Sequence, residues 1–465
     1  MRNELSLILV VLLLLLAELF SNRQGKKAII TLAVGLFLVH TIVGFLPTSH
    51  GELFGGMYRN TPLIVLMKNL LNVGVLVVFL QSSYWLRLPE NEHRFTEFFL
   101  LTLSTLIGMS YMISSGNFLM FYLGLELASI PITALAAFNI RKMESIEAGA
   151  KFILLAALSS GIMLFGISLI YGTTGSIYFS DVMAGMSMHP AQIVATTFFI
   201  AGLAFKISLV PFHLWTADVY EGSPTSVAAY LSVISKGASV FILIIVLFTV
   251  FRDVVTAWKP LLAVISIATM TTGNIFALRQ QNIQRFLAFS SVAQAGFILL
   301  GIISGSEYGM AAVVYFVLVY VFSNLGAFGV VAVVRYRTGK QNIGDYDGFY
   351  QTNPKLSLVM LLSLFSLAGI PPVAGFFGKF FLFAAAAEQG MYWLVIIAVL
   401  NTIISLYYYL LVVKAMFLHK SEEPIEKIQG DFMMNIALVV IVFGILFIGI
   451  YSPVFEWIQA VSWGL

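Results

Sequence analysis

Long apolar runs, divided by short polar or Gly/Pro-bearing stretches, leave this 465-residue chain little choice of solvent. About 20 apolar residues suffice for a helix to cross a bilayer. Within hydrocarbon the backbone must satisfy its own hydrogen bonds, which favours helices. Only 10% of the residues are charged, against about 25% in a soluble globular protein. The expected fold class is therefore an all-α polytopic membrane protein. No polar stretch is long enough for a separate soluble domain. About fourteen transmembrane helices are expected, roughly over 4–22, 28–46, 62–82, 97–114, 117–138, 146–171, 191–213, 226–251, 259–278, 284–303, 308–334, 355–387, 391–418 and 432–457.

The first run, Leu5 to Phe20, is expected to be a retained helix rather than a signal peptide. Glu18 interrupts it, no small-residue cleavage site follows, and Arg23, Lys26 and Lys27 form a basic flank. Positive charge alternates between successive loops. One set of loops holds 17 Lys and Arg residues, among them Arg141, Lys142, Arg335 and Lys340, and the other holds Arg2, Arg59, Arg252 and Lys259. The positive-inside rule makes the first set cytoplasmic, with both termini on the periplasmic or external side.

Four ionisable residues stand alone inside these runs. Lys206 is the only charged residue between Ala191 and Leu214, Lys236 between Ser226 and Phe251, Glu126 between Phe118 and Phe138, and Lys379 between Leu356 and Ala387. A charge at helix centre costs about 2.5–3.5 kcal/mol on insertion scales, while each Leu, Ile or Phe returns about 0.3–0.6. Insertion is thus feasible, and burial alone does not demonstrate function. Such residues usually face a bundle interior or a hydrated path and mark ion or proton routes.

Two spans carry helix breakers beside a lysine. Pro211 lies five residues after Lys206, and Gly369, Pro371, Pro372, Gly375 and Gly378 precede Lys379. Proline removes a backbone donor and opens the helix, which membranes tolerate where protein or a water-lined cavity receives the freed carbonyls. The expected broken helices, seven and twelve, are five spans apart. An odd offset reverses direction, the signature of two inverted five-helix repeats, spans 4–8 (97–251) and 9–13 (259–418), within one transmembrane domain over 1–465.

Each residue carries two readings. Lys206 either snorkels or caps carbonyls freed by Pro211, or it carries a proton. Glu126 is a static ion pair, a protonated carboxyl, or a group that tunes the lysine. Lys236 is flanked at helical spacing by Ser232, Ser235 and Ser239, which line a hydrated wall or permit close packing. Lys379 divides in the same way. Lys151 is close enough to the interface to snorkel, and His213 is either structural or part of a proton entry. Lys68 and Glu18 read as subunit contacts or peripheral pairs, and Tyr407, Tyr408 and Tyr409 as packing or an interfacial belt. With no cysteine, disulfides, cysteine-ligated iron–sulfur clusters and thiolate zinc sites are excluded. The six histidines show no ligand spacing, so no metal is expected.

The run Phe121-Tyr-Leu-Gly-Leu-Glu-Leu-Ala-Ser-Ile-Pro131 and the block Gly202-Leu-Ala-Phe-Lys-Ile-Ser-Leu-Val-Pro-Phe-His-Leu-Trp-Thr-Ala-Asp-Val-Tyr-Glu-Gly-Ser-Pro-Thr225 carry a resemblance. Ser235-Lys-Gly-Ala238 and Gly369-Ile-Pro-Pro-Val-Ala-Gly-Phe-Phe-Gly-Lys-Phe380 extend it over essentially the whole chain. The sequence resembles the antiporter-like membrane subunits of respiratory complex I (NADH-quinone oxidoreductase), its N-type branch above all. The wider family takes in subunits of multisubunit sodium/proton antiporters. Lysine rather than glutamate in span twelve speaks against the M-type branch. The expected absence of a lateral helix after span fourteen speaks against the L-type.

The resemblance implies that Glu126, Lys206, Lys236 and Lys379 form a proton path, with Lys151 and His213 in support. Histidines that some relatives carry in spans eight to ten are absent, which leaves the middle link to serines, Gln294 and water. It also implies that quinone reduction elsewhere drives this chain. NADH, FMN, iron–sulfur clusters and quinone would be held by other subunits. The partners would be the M-type chain, small K- and J-type chains and the lateral helix of the L-type chain, in a bacterial inner membrane. The competing class is a cation/proton antiporter subunit or a related redox-driven pump.

Overall fold

The computed structural model describes residues 1–21, 26–91 and 93–462, and it is almost wholly helical. Arg23 and the side chains of Lys26 and Lys27, expected as a basic anchor, lie outside the described residues. The chain opens with α1 (Arg2–Phe20), α2 (Lys26–Gly44) and a hairpin of β1 (Gly51–Leu53) and β2 (Tyr58–Asn60). Next come α3 (Pro62–Leu86), α4 (Phe95–Ile113), α5 (Phe118–Ala136), α6 (Met143–Thr174), the short α7 (Phe179–Gly185) and α8 (Pro190–Ile207). After α9 (Trp215–Gly222), α10 (Thr225–Tyr230) runs through a π-helical stretch, Leu231–Ser235, into α11 (Lys236–Thr249). The rest is α12 (Val255–Leu278), α13 (Ile283–Ser304), α14 (Glu307–Thr338), α15 (Phe349–Thr352), α16 (Pro354–Ala368), α17 (Ala374–Glu388), α18 (Tyr392–Phe417), α19 (Phe432–Ile450) and α20 (Pro453–Ser462).

Twelve helices among the described residues are long and apolar enough to cross a membrane; Ala28–Gly44 and Pro354–Ala368 are shorter apolar helices. The expected span at 432–457 stops at Ile450, because Pro453 lacks an N–H to continue a helix and instead starts α20. The hairpin was not anticipated. Its turn needs left-handed backbone at Phe54, Gly55 and Gly56, which two glycines adopt without steric cost.

Among the described residues the helices group into two compact units, Met1–Lys206 with Ile234–Trp258, and Ile207–Val233 with residues 259–462. In the first unit, α4 and α5 lie backbone to backbone. A Cβ at Gly108 would strike the Ala128 backbone, and one at Gly124 the Met112 backbone. Small residues at such crossings let helices approach closely. The Asn117 side chain accepts from Met120 N–H (2.8 Å) and starts α5, so its register on α4 is set from its first turn.

Lys68 is not peripheral. It is fully buried on α3 and donates to Glu4 of α1 and to Ser114, which follows α4. The Tyr58 hydroxyl donates to the same carboxylate at 3.0 Å. Burial first, and then the Glu4 charge, push that hydroxyl's pKa above the ordinary tyrosine value. One ion pair therefore ties two helices, the hairpin and the end of a fourth element. Glu18, read as another peripheral group, accepts from Thr96 at 2.6 Å.

Removing one partner of a buried pair is costly because the other charge remains. Lys68→Met should destabilise the fold by about 3–5 kcal/mol, and adding Glu4→Gln should restore most of it. Thermal unfolding of both variants in detergent checks this. Equal melting of the single variant and wild type would show the pair to be dispensable.

Candidate proton-transfer sites

In the first unit the site is built by α4, α5, α8 and α11. Helix α8 stops at Ile207, and Ser208 takes a left-handed backbone (φ 65°) ahead of Pro211. Lys206 therefore occupies the last turn of α8, where exposed carbonyls and the helix dipole favour a cation. It exposes only 6% of its surface. Its ammonium donates to Ser129 Oγ of α5 at 2.5 Å, and the Ser129 hydroxyl donates in turn to the Leu125 carbonyl at 2.5 Å. The Phe152 ring of α6 lies 5.2 Å from the same ammonium, in cation–π range.

Beside this group is a small cavity lined by Met109, Leu125, Ser129, Lys206, Ser235 and Ser239 among others. Its free volume of about 10 Å³ is near the room one water needs. Ser235 and Ser239 come from the stretch that carries Lys236, itself buried with 5% exposed. Lys236 begins α11 directly after the π-helical stretch. Such bulges shift the facing of the residues beyond them and recur at functional sites.

Glu126 is half-buried on α5, three residues before Ser129, and its Oε1 is enclosed without a hydrogen-bond partner. The Lys206 hydrogen bond goes to Ser129 rather than to Glu126. Leu123, Leu127 and Ile130, which bracket Glu126, are exposed. Lys151 is paired with Glu147 at 2.7 Å on an exposed face of α6.

In the second unit, Pro371 and Pro372 end α16 at Ala368, and every carbonyl of its last turn is accounted for. The Gly369 N–H is shared by the Phe365 and Ser366 carbonyls (3.0 and 3.1 Å). Gln294 Nε2 of α13 donates to the Leu367 carbonyl at 2.9 Å. The Lys379 ammonium of α17 donates to the Ala368 carbonyl at 3.0 Å and sits 4.7 Å from the Phe297 ring. A Cβ on Gly375 would strike the Ser366 carbonyl, so only glycine lets α17 turn back this closely. Lys379 is 4% exposed. His213 is also buried in this unit, its ring stacked against Phe276 at 6.3 Å.

Sequence reasoning missed Ser129 as the lysine's acceptor, though it stands within the run that carries Glu126. It also missed Tyr409, read only as packing or belt. Tyr407 is exposed, but Tyr408 and Tyr409 are buried and hydrogen-bonded to Asn274 and Ser290 respectively. Among the described residues no group of three or more His, Asp or Glu side chains is placed to hold a metal.

The family model described as NADH:quinone oxidoreductase/Mrp antiporter, TM, matches residues 115–405, which include all four of these ionisable residues. The chain belongs to the NADH:quinone oxidoreductase/Mrp antiporter family. It is 51% identical over 457 residues to the NADH-quinone oxidoreductase subunit N of Phocaeicola vulgatus, covering 98% of this chain and 97% of that one. It is 50% identical to the subunit of the same name from Azobacteroides pseudotrichonymphae, covering 100% and 98%. A chain of respiratory complex I from Thermus thermophilus has a similar structure, with a TM-score of 0.78 and 29% identity over 97% of this chain and 98% of that one. A chain of the Mrp complex from Dietzia shares the fold, with a TM-score of 0.88 at 20% identity, over 99% and 96%.

For this member of the NADH:quinone oxidoreductase/Mrp antiporter family, Ser129→Ala should strip the buried Lys206 ammonium of its acceptor and cost about 1–3 kcal/mol of stability. Ser129→Thr, which keeps the hydroxyl, should cost less. Unfolding midpoints in detergent test the pair, and equal midpoints for the two variants would mean that the hydroxyl is not engaged.

Proposed function

We propose that the chain is a proton-translocating membrane subunit, of the N type, of a bacterial NADH:quinone oxidoreductase, respiratory complex I. The observation that carries this reading is a lysine enclosed at the end of an apolar helix, bound to one hydroxyl and next to a small cavity that three serines help to line, in a chain half identical along its length to two subunits N. The chain performs no redox chemistry. NADH, FMN, iron–sulfur clusters and quinone belong to other subunits, and electron transfer there drives proton movement here.

In this reading Lys206 loads a proton, Glu126 tunes it, and the proton passes by way of Lys236 to Lys379 and leaves outward. Lys151 and His213 play supporting parts. A buried lysine suits the task because its ammonium can release a proton once desolvated, which a guanidinium does not. The single hydrogen bond to Ser129 supports a group that is held but not locked. The helix end at Ile207, directly after Lys206, and the one at Ala368, whose carbonyl Lys379 holds, support fourteen spans arranged as two inverted five-helix repeats, 97–251 and 259–418, with helices seven and twelve broken. The partners are the M-type chain, the small K- and J-type chains and the lateral helix of the L-type chain, in the inner membrane.

Lys206→Ala should depress proton pumping strongly in inside-out vesicles while the complex still assembles, and Lys206→Arg should fail as well. Lys236→Ala should behave similarly. Wild-type pumping by an assembled Lys206→Ala complex would make this lysine structural. Robust cation/proton exchange by the isolated chain in liposomes would replace the complex I reading with an independent antiporter.

Both termini are external and the Arg141–Lys142 and Arg335–Lys340 loops cytoplasmic. Cysteines placed at Asn139 and Ser306 of the cysteine-free chain should label from opposite sides of the membrane. Labelling from one side would break the fourteen-span topology.

A further inference from the structure

Gln294 stands at the centre of the second unit with its two ends used unequally. A carbonyl can only accept, so the end facing Leu367 O (2.9 Å) is the NH₂ group. The same nitrogen lies 3.2 Å from the Tyr409 hydroxyl, which is 2.5 Å from Ser290 Oγ. The other end, Oε1, is buried and has no hydrogen-bond partner, in a side chain 1% exposed. A buried carboxamide oxygen left open is destabilising unless something visits it.

The visitor is at hand. Lys379 has three N–H groups and gives one of them to Ala368 O, the carbonyl next to the one Gln294 holds. Its ammonium lies over Phe297, one helical turn from Gln294 on α13. Capping Leu367 O alone would explain the nitrogen of Gln294, but not the enclosed open oxygen.

We propose that Gln294 is a positioning residue that brings Lys379 to a proton-transferring hydroxyl pair, Tyr409 and Ser290. The Lys379 ammonium alternates between the Ala368 carbonyl and Gln294 Oε1. In the second position it and the Tyr409 hydroxyl are bound to the two ends of one carboxamide and so lie side by side. Lys379 then gives a proton to the Tyr409 oxygen as Tyr409 releases its own to Ser290 Oγ and Ser290 gives its hydroxyl proton to a water molecule beyond it, which carries the proton away; the reverse sequence reloads the lysine. The amide neither gains nor loses a proton. The inference rests on the reading of Lys379 as a proton carrier.

The experiment uses the assembled complex in inside-out vesicles, with Gln294→Met, Tyr409→Phe and Lys379→Met. Tyr409→Phe keeps the ring that packs edge-on against Phe286 and Tyr408. Pumping should fall about tenfold or more in Gln294→Met and in Tyr409→Phe, and the double variant should be no worse than either single one. The H₂O/D₂O rate ratio should rise in Tyr409→Phe, as proton transfer becomes limiting; a merely structural loss leaves that ratio unchanged. If Lys379→Met fails while Gln294→Met and Tyr409→Phe pump like wild type, the relay is overturned and the role of Lys379 stands. If Lys379→Met itself pumps normally, the underlying reading is what fails. Losses that multiply in the double variant, with an unchanged isotope ratio, would assign both residues to packing alone.

Discussion

An ammonium group taken out of water must find oxygen atoms, and this requirement organises both units. In a helical membrane protein the oxygens are mostly used up within the helices. Free acceptors arise where a helix ends or where a polar side chain projects from a neighbour. Lys206 uses the second source, the Ser129 hydroxyl of α5. Lys379 uses the first, the terminal carbonyl of α16. In each case the lysine has one strong hydrogen bond for three donors, which holds the charge in place without saturating it.

The end of α16 is therefore a source of acceptors and not only an interruption of the helix. At the end of α16 the four last carbonyls are divided among the N–H groups of Gly369 and Ile370, one amide and one ammonium. Prolines 371 and 372 create the vacancies by supplying no N–H groups, and Gly375 lets α17 return close enough for Lys379 to reach one. The same logic elsewhere in the first unit gives the opposite result. Lys68 meets a full carboxylate, a serine and a tyrosine, and this saturated cluster joins helices where an under-coordinated one would be free to exchange protons.

Much of this was legible in the chain. Apolar runs gave the helical class, and the four lone ionisable residues stood out because nothing near them in sequence was charged. The proline and glycine clusters told where helices stop. What was not legible were the partners. Glu4 reads as an ordinary acidic residue at a helix start, yet it is the counter-ion of Lys68, 64 residues away. Tyr409 sits in a row of three tyrosines whose outward member, Tyr407, is exposed while the other two are enclosed. Helical periodicity alone does not tell which of them turns inward when the helix is apolar all round.

The sequence by itself determined the solvent, the helical class, the places where helices end and which residues would carry charge into the interior. These follow from local chemistry: the transfer cost of a charge, the missing N–H of proline, the length a bilayer demands. Only the tertiary structure decided that Lys206 meets Ser129 instead of a carboxylate, that Lys68 is buried rather than peripheral, and that Gln294 keeps an open oxygen near Lys379. An apolar helix has no polar face to declare its orientation, so the pairing of its few polar atoms is set by how neighbouring helices pack, through glycine contacts such as Gly108 and Gly375 that bring distant backbones together.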